Sequence, residues 1–286
     1  MDTVHGFLLE DLDIRGALVQ LGPSWAAMAC RRGYAAPVRD LLGELAAVTA
    51  LIGSNLKTSG RLSFQLQGHG PVSMLVMDCN EQLHLRGMAK SVLDADAEAR
   101  VARVGDLLGD GRLVLTLQPK AAQTPYQSVV PIAGSTLAAV FEHYLAQSEQ
   151  QPARLWLAAT ADTACGLFLQ KLPGADGRDP DGWNRIEQLA ATVHPEELAL
   201  PPETLLTRLF GAETVRLYAP RQAAWHCPRD EEKVRNMLLS LGRQELEAML
   251  ADAEIIAIED EICGHEYRFG PEIVDELFPP EGRILH

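Results

Sequence analysis

The sequence predicts an α+β fold, in which a body of antiparallel strands packed with helices precedes a helical middle region and a small helix–hairpin tail. Three observations lead to this prediction. Several short runs alternate apolar and polar residues, as half-buried strands do. One long segment repeats apolar residues every three or four positions, as helices do. A stretch of turn-formers and charges, 173–182, separates the body from the rest of the chain.

The composition is that of a folded protein without a membrane span. Apolar residues make up 47% of the 286, which is too many for a disordered chain. No apolar run reaches the roughly 18–20 residues of a membrane helix, and Met1–His5 lacks the basic and apolar regions of a signal peptide. We therefore expect a cytoplasmic protein without a membrane partner. In a reducing cytosol, five cysteines do not form a disulfide framework.

The charge is acidic and uneven. The net charge is −14, so a basic face for nucleic acid is not expected. From Trp225 to His286, 15 Asp and Glu stand against 6 Lys and Arg, which places −9 of the −14 in this tail. Such a charge run is typical of a solvated surface, and it also suits a segment that must stay soluble when it opens.

The body begins with a strand predicted over Phe7–Leu21, bent at Gly16. An antiparallel meander and further strands are predicted to follow over 62–67, 72–77, 82–88, 112–118, 126–132, 154–159 and 166–172.

Helices are predicted between and after these strands. The clearest runs from Pro37 to Lys57, with a proline at its start and apolar residues at three- and four-residue steps. Others are expected over 24–30, 136–147, 184–193 and 203–210, before a short strand at 214–218.

The tail is predicted to start with a helix capped by Asp230 and stopped by Gly242. A second helix should follow around Leu246–Leu250. The segments 254–259 and 266–269 are predicted to be strands on either side of a turn at Cys263-Gly264, before a last short helix.

Several candidate motifs have simpler explanations than chemistry. Gly68-His69-Gly70 lacks the Lys-Ser/Thr of a phosphate loop and precedes a strand, so a hairpin turn is predicted. Glu142 and His143 are adjacent on a helix, so they do not face each other as an acid–base pair would. We expect the isolated cysteines to be buried structural thiols; they are Cys30, Cys79 and Cys165.

Cys227 and Cys263 are the candidates for thiol or metal chemistry, because each lies in a predicted turn close to a histidine. His265 could complete a Cys-x-His pair for zinc, whereas His226 points poorly for chelation beside Cys227. A reversible Cys227–Cys263 disulfide is an equal alternative, since exposed turn thiols can be reactive. The residues alone leave a metal site, a disulfide and neither function open.

The ordered motifs of the whole chain resemble those of the 33-kDa heat-shock chaperonin family, the redox-regulated holdases of the bacterial cytosol. The motifs are Ile14-Arg15-Gly16, the Glu44–Leu56 helix, Gln65-Leu66-Gln67-Gly68-His69-Gly70-Pro71, Tyr126-Gln127-Ser128-Val129-Val130, Leu241-Gly242-Arg243-Gln244-Glu245-Leu246 and Cys263-Gly264-His265-Glu266-Tyr267-Arg268-Phe269.

The resemblance implies an N-terminal chaperone core at 1–173, a linker domain at 174–224 and a C-terminal redox-switch domain at 225–286. In this family a Cys-x-Cys and a Cys-x-x-Cys hold one zinc as thiolates. Their oxidation to two disulfides releases the metal and unfolds the switch. The protein then dimerises and holds unfolding clients without ATP.

This chain departs from the family pattern at two of the four cysteines. Arg229 replaces the partner of Cys227, and Asp260 replaces the partner of Cys263. Neither family disulfide nor a four-thiolate zinc site can therefore form. We hypothesise an Arg229–Asp260 salt bridge in their place, worth about 0–1 kcal/mol if exposed. Since a structural zinc supplies about 10 kcal/mol or more, the tail should be less stable than a zinc-bound one.

The sequence therefore predicts a chaperone that is not an enzyme and that holds unfolding proteins under oxidative or heat stress. We expect heat, or oxidation of Cys227 and Cys263, to loosen the tail. No cofactor is expected, with an atypical zinc site on Cys227, Cys263 and His265 as the alternative. The expected partners are unfolded clients and a second copy in the active state. Two other functions stay open, a thiol–disulfide enzyme and a constitutive protein-interaction module without redox regulation.

Overall fold

A computed structural model describes residues 2–56, 59–94, 103–121 and 124–279. The chain forms two compact units, one up to His226 and one from Cys227 on. They are called the first and the second unit below. The fold is α+β, as the sequence predicts.

The first sheet of the first unit is antiparallel, with the order β10-β1-β2-β9-β8, and β11 pairs with the other end of β1. Its strands are β1 (Thr3–Leu9), β2 (Ile14–Leu21), β8 (Ala153–Ala159), β9 (Ala164–Lys171), β10 (Val215–Leu217) and β11 (Arg221–Gln222).

The second sheet of this unit has the order β12-β5-β4-β3-β6-β7. It is antiparallel except at β12, which runs parallel to β5. Its strands are β3 (Gly60–Gly68), β4 (Val72–Asn80), β5 (His84–Ser91), β6 (Gly111–Pro119), β7 (Tyr126–Pro131) and β12 (Ala224–Trp225).

The helices of the first unit lie between and beside these sheets. They are α1 (Pro23–Ala29), α2 (Ala36–Ser54), α3 (Val104–Leu108), α4 (Leu137–Glu149), α5 (Ala175–Arg178), α6 (Gly182–Ala190) and α7 (Pro202–Phe210), with a 3₁₀ helix at Pro195–Ala199. Sequence reasoning missed α3, α5, β11 and β12, which are all too short to show a periodic pattern.

Helix α2 is the centre of the first unit because it packs against strands of both sheets. Its apolar repeat, including Leu42, Leu45 and Leu51, is buried on both sides, which is why this segment is apolar around most of its circumference. The predicted helix is confirmed, although its expected last residue, Lys57, lies outside the described residues.

The opposite face of the first sheet is covered by α6 and α7. Phe7, Ile14 and Leu167 of the sheet join Ile186 and Phe210 of these helices in a second apolar cluster. The described part of the middle region thus packs on the body and adds β10 to the edge of its sheet. The assignment of 1–173, 174–224 and 225–286 to separate functions stays a prediction.

The single strand predicted over Phe7–Leu21 is wrong, because the segment is a hairpin of β1 and β2. The chain reverses between Leu9 and Ile14, and Asp13 takes φ +53°, a left-handed conformation that aspartate tolerates better than most residues. The bend was expected at Gly16, which instead lies inside β2 opposite Phe7. The ring of Phe7 occupies the space that a side chain at position 16 would need.

The second unit is a helix pair packed on a two-stranded hairpin, as predicted for the tail. Its elements are α8 (Glu231–Leu241), α9 (Arg243–Asp252), β13 (Ile256–Asp260), β14 (His265–Phe269) and α10 (Glu272–Leu277). Asp230 caps α8 by accepting a hydrogen bond from the backbone of Lys233 at 3.0 Å. The core of the unit is small; its buried members are Leu238, Leu246, Ile256, Tyr267, Phe269, Ile273 and Val274.

Candidate functional site

The candidate site of the second unit lies where the segment before α8 meets the β13–β14 turn. Asp260 builds this turn, since its Oδ1 accepts hydrogen bonds from the backbone N–H groups of Ile262 and Cys263 at 2.9 and 3.2 Å. Gly264, at φ +64°, donates to the carbonyl of Asp260. The turn sets Cys263 into the interior, where it is 4% exposed.

Cys227 and Cys263 are joined by a disulfide, with their Cα atoms 5.8 Å apart and their positions 36 apart in the sequence. The distance is within the usual range for this bond. Cys227 is half-buried, so it is the more exposed of the two cysteines. The bond links the start of α8 to the hairpin turn, and it encloses α8, α9 and β13 in one covalent loop.

His265 lies beside this disulfide, at the first position of β14. Its Nε2 and the carbonyl oxygen of Cys227 are 2.7 Å apart, which makes His265 a tie between the two chain segments. The two sulfur atoms and a ring nitrogen of His265 all lie within 4.8 Å of one another. The structure therefore brings together the three residues that the sequence proposed as zinc ligands.

These three donors do not fit a closed structural zinc site. Such a site takes four protein ligands, with sulfur present as thiolate. Both sulfur atoms are held in the disulfide, and the carboxylate of Asp260 already accepts two backbone hydrogen bonds. Even after reduction, Cys227, Cys263 and His265 would supply three ligands, and metal binding by them stays a prediction.

The hypothesised Arg229–Asp260 salt bridge is not formed, although both residues are described. Arg229 donates from its Nη2 to the carbonyl oxygen of Glu266 and lies over the ring of Tyr267, 4.7 Å from the ring centre. Asp260 is occupied by the turn that it builds. Arg229 thus ties the segment before α8 to β14, which is a different role from replacing a metal.

Tyr267 is a site residue that sequence reasoning missed. Its side chain is almost fully buried, and its hydroxyl accepts a hydrogen bond from the backbone N–H of Asp230 at 2.8 Å. In the sequence Tyr267 alternates with Phe269 in a predicted strand, a pattern that is typical of core positions. The contact joins residues 37 positions apart, so local pattern could not reveal it.

The other motifs considered in the sequence have structural roles. The backbone N–H groups of His69 and Gly70 both donate to the carbonyl oxygen of Leu108, at 2.8 and 2.9 Å, so they are not free to bind a phosphate. Glu142 accepts from the backbone of Leu155 at 2.7 Å. The neighbouring His143 is exposed and contacts Gln147, so the two side chains point apart.

The three remaining cysteines divide into two buried thiols and one exposed thiol. Burial raises the pKa of Cys79 to about 12 and that of Cys165 to about 11, which makes these thiols poor nucleophiles at neutral pH. Cys30 was expected to be buried as well, but it is exposed at the end of α1. The short helix ends there, and its buried face is formed by other residues, among them Trp25 and Met28.

Among the described residues, no helix combines the length and the apolarity that crossing a bilayer would require.

Comparison with known proteins places these features in a family. The family model of the Hsp33 protein matches residues 2–270. Curated relatives named 33 kDa chaperonin include those of Methylobacillus flagellatus (38% identity, 98% of this chain and 95% of the relative) and Vibrio cholerae (38% identity, 100% and 99%). The relative from Nitrosococcus oceani is also 38% identical over 97% of this chain and 94% of its own length.

A solved structure has the same fold. The crystal structure of the 33 kDa chaperonin, or Hsp33 homologue, of Thermotoga maritima matches with a TM-score of 0.81. It covers 96% of this chain and 97% of its own, at 22% sequence identity. From the model match over both units and the curated relatives at 38% identity, we conclude that this chain belongs to the Hsp33 family of chaperones.

Proposed function

We propose that this chain is an ATP-independent holdase, which binds unfolding proteins and keeps them from aggregating under stress such as heat. The observation that carries the proposal is the family match over residues 2–270, which spans nearly the whole chain and both compact units. The curated relatives over this length are named 33 kDa chaperonin.

The glycine-containing turn at 68–70 does not supply a phosphate cradle. A phosphate cradle needs backbone N–H groups that point into open space. Here those of His69 and Gly70 are already bonded to Leu108. A Cβ at position 70 would lie 2.5 Å from the carbonyl oxygen of Leu107, so the glycine allows close packing of two backbone segments.

Client binding is supported by apolar side chains at the surface of both units. Large apolar residues that are 44–84% exposed include Val92, Tyr126 and Val129 in the first unit, and Met237, Leu239, Leu241 and Ile255 in the second. An unfolding protein exposes apolar segments that can cover such side chains. We propose unfolded clients as the partners, with a homodimer as the active form, and neither nucleic acid nor a membrane as a partner.

The control of this holdase is proposed to differ from that of a zinc-thiolate switch. With Arg229 and Asp260 at two of the four family cysteine positions, one sulfur atom per motif remains. The ligands that remain are too few for a closed structural zinc site, so we propose that the protein holds no resident structural zinc. We further propose a cytoplasmic location, in which the two remaining thiols can respond to changes in redox conditions.

A thiol–disulfide enzyme is less well supported. Such enzymes use a low-pKa thiol, usually in a Cys-x-x-Cys motif, that substrates can reach. Here the two cysteines are 36 positions apart, and Cys263 is buried in the hairpin turn. We therefore expect no catalysed reduction of insulin disulfides.

The test of the proposal is the light scattering of a client enzyme that aggregates on heating. We expect equimolar protein to suppress the scattering equally well with and without ATP, in at least one redox state. An unrelated protein of the same size and net charge serves as the control. Full aggregation of the client with both the reduced and the oxidised protein would refute the holdase proposal.

A further inference from the structure

The Cys227–Cys263 disulfide crosslinks parts of the second unit that are distant in the sequence. Cys227 precedes α8, and Cys263 lies in the turn after β13, so the enclosed loop carries Leu238, Leu246 and Ile256 of the small core. A crosslink over such a loop lowers the entropy of the unfolded segment and thereby favours the folded one. A crosslink between cysteines two or three residues apart would close a much smaller loop and restrict the unfolded segment less.

Without this bond, the segment before α8 is held by a few polar contacts. They are the His265 contact to the carbonyl of Cys227, the hydrogen bond from Asp230 to Tyr267, and the contacts of Arg229 with Glu266 and the Tyr267 ring. Each of these contacts adds only modestly to stability, because the same groups form hydrogen bonds with water when the segment opens. The covalent bond is therefore the strongest tie between the two ends of the loop.

We propose that this disulfide is a lock whose oxidised state closes the second unit and whose reduced state opens it. Reduction, and not oxidation, would then raise client holding. This inference rests on the proposed holdase function for its consequence, but the lock itself concerns the second unit alone. It reverses the expectation from the sequence that oxidation of Cys227 and Cys263 loosens the tail.

The chemistry of the lock is a two-electron exchange. On closing, the two thiols lose two electrons and two protons to a peroxide, whose O–O bond breaks to give two waters when the oxidant is hydrogen peroxide. On opening, a dithiol reductant attacks through one thiolate, most readily at the half-buried Cys227 sulfur, and Cys263 leaves as the thiolate. The second thiol of the reductant then attacks the reductant's own sulfur in the mixed disulfide, so that Cys227 leaves as the thiolate and the reductant becomes a cyclic disulfide.

The experiment is hydrogen exchange with mass spectrometry on the full chain, oxidised with peroxide or reduced with dithiothreitol, with a chelator to keep metals off the thiols. Loop closure over 36 residues predicts that protection of β13 and β14 falls roughly 100- to 1,000-fold on reduction. Peptides from β2 and β9 of the first unit report whether the change is confined to the second unit. We expect them to stay unchanged.

Two variants test whether the Cys227–Cys263 disulfide causes the change in protection. The double variant Cys227→Ser, Cys263→Ser should show the low protection of the reduced protein under both conditions. The variant Cys30→Ser removes an exposed thiol outside the disulfide and should keep the full response of the wild type. Equal protection of β13 and β14 in the two redox states of the wild type, or higher protection after reduction, would overturn the lock.

Client holding is measured on the same samples. Stronger suppression of aggregation by the reduced protein supports the regulatory part of the proposal. Equal or weaker suppression by the reduced protein overturns that part. If protection responds to reduction but neither state suppresses aggregation, the holdase function is refuted and the lock stands.

Discussion

At the scale of single residues, some positions of the first unit tolerate little change in the size or charge of the side chain. Gly16 lies under the ring of Phe7, and a Cβ at this position would come within 2.1–2.5 Å of ring atoms. Glu44 of α2 is a carboxyl group beside an apolar cleft lined by Val104, Leu107 and Leu157. Each of these positions gives a prediction that concerns the first unit alone.

We expect Gly16→Ala to destabilise the first unit by about 1–3 kcal/mol, the usual cost of forcing extra volume into a packed core. Phe7 is 1% exposed and packs against Phe210, so its ring has no free space to enter. Urea unfolding followed by tryptophan fluorescence measures this, because all four tryptophans precede Cys227. Gly105→Ala is the control, since a Cβ there meets nothing within 4 Å; an equal loss in both variants would contradict the clash.

Glu44 should make the stability of the first unit depend on pH. Burial, with the charge of Asp40 as the smaller cause, raises the pKa of Glu44 from its ordinary value of 4.5 to about 7. The folded state holds this proton more tightly than the unfolded state does. Ionisation of Glu44 therefore destabilises the folded state, and this destabilisation is absent below the unfolded pKa. It grows as pH rises from 4.5 towards 7, and it is complete above 7.

We therefore expect Glu44→Gln to stabilise the first unit at pH 8 by up to about 3 kcal/mol, and to change stability little at pH 4.5. Urea unfolding at both pH values, followed by tryptophan fluorescence, measures the difference. Glu196→Gln, at an exposed position, is the control and should have little effect at either pH. A gain for Glu44→Gln of the same size at both values would show that ionisation is not the cause.

At the scale of elements, the second unit depends on how the segment before α8 is tied to β14. The backbone N–H of Asp230 donates to the hydroxyl of Tyr267, and the Asp230 side chain in turn caps α8. One buried hydroxyl thus positions the start of a helix from a strand that is 37 residues away in the sequence. The cap itself could be predicted from sequence, but the hydroxyl that supports it could not.

We expect Tyr267→Phe to destabilise the second unit by about 1 kcal/mol, since the N–H of Asp230 loses its partner while the ring keeps its packing. Hydrogen exchange of β13 and β14 should then be about five-fold faster, with the first unit unchanged. Tyr218→Phe, at an exposed position of the first unit, is the matched control. Unaltered exchange in β13 and β14 for Tyr267→Phe would mean that the hydroxyl contributes nothing to the unit.

At the scale of the whole molecule, the two compact units differ in how they are stabilised. The first has a large apolar core around α2 and a second cluster beneath α6 and α7. The second has a small core and a disulfide. Small units bury a low fraction of their surface and commonly need such a crosslink or a metal.

Thiol and metal contents test this distinction on the intact chain. We expect three thiols to react in the denatured, oxidised protein and five after reduction, because Cys30, Cys79 and Cys165 are outside the disulfide. We expect less than one zinc per chain after desalting of the reduced protein, since the site offers three ligands. Elemental analysis that finds a full equivalent of zinc would contradict this expectation and indicate a fourth ligand.

The sequence by itself determined the fold class, the α2 helix, the meander and the helix–hairpin form of the tail. These depend on local periodicity and turn residues, which each segment carries in its own pattern. It also identified Cys227, Cys263 and His265 as residues that belong together. The β1–β2 hairpin was not predicted because an aspartate, and not a glycine, takes the left-handed turn position.

Only the tertiary structure decided what the candidate site residues do. It paired Arg229 with Glu266 and Tyr267, gave Asp260 to the hairpin turn and joined the two cysteines across α8, α9 and β13. Two opposite charges in a sequence have many partners within reach. The choice among them depends on backbone carbonyls, ring faces and turn geometry that exist only after the chain has folded.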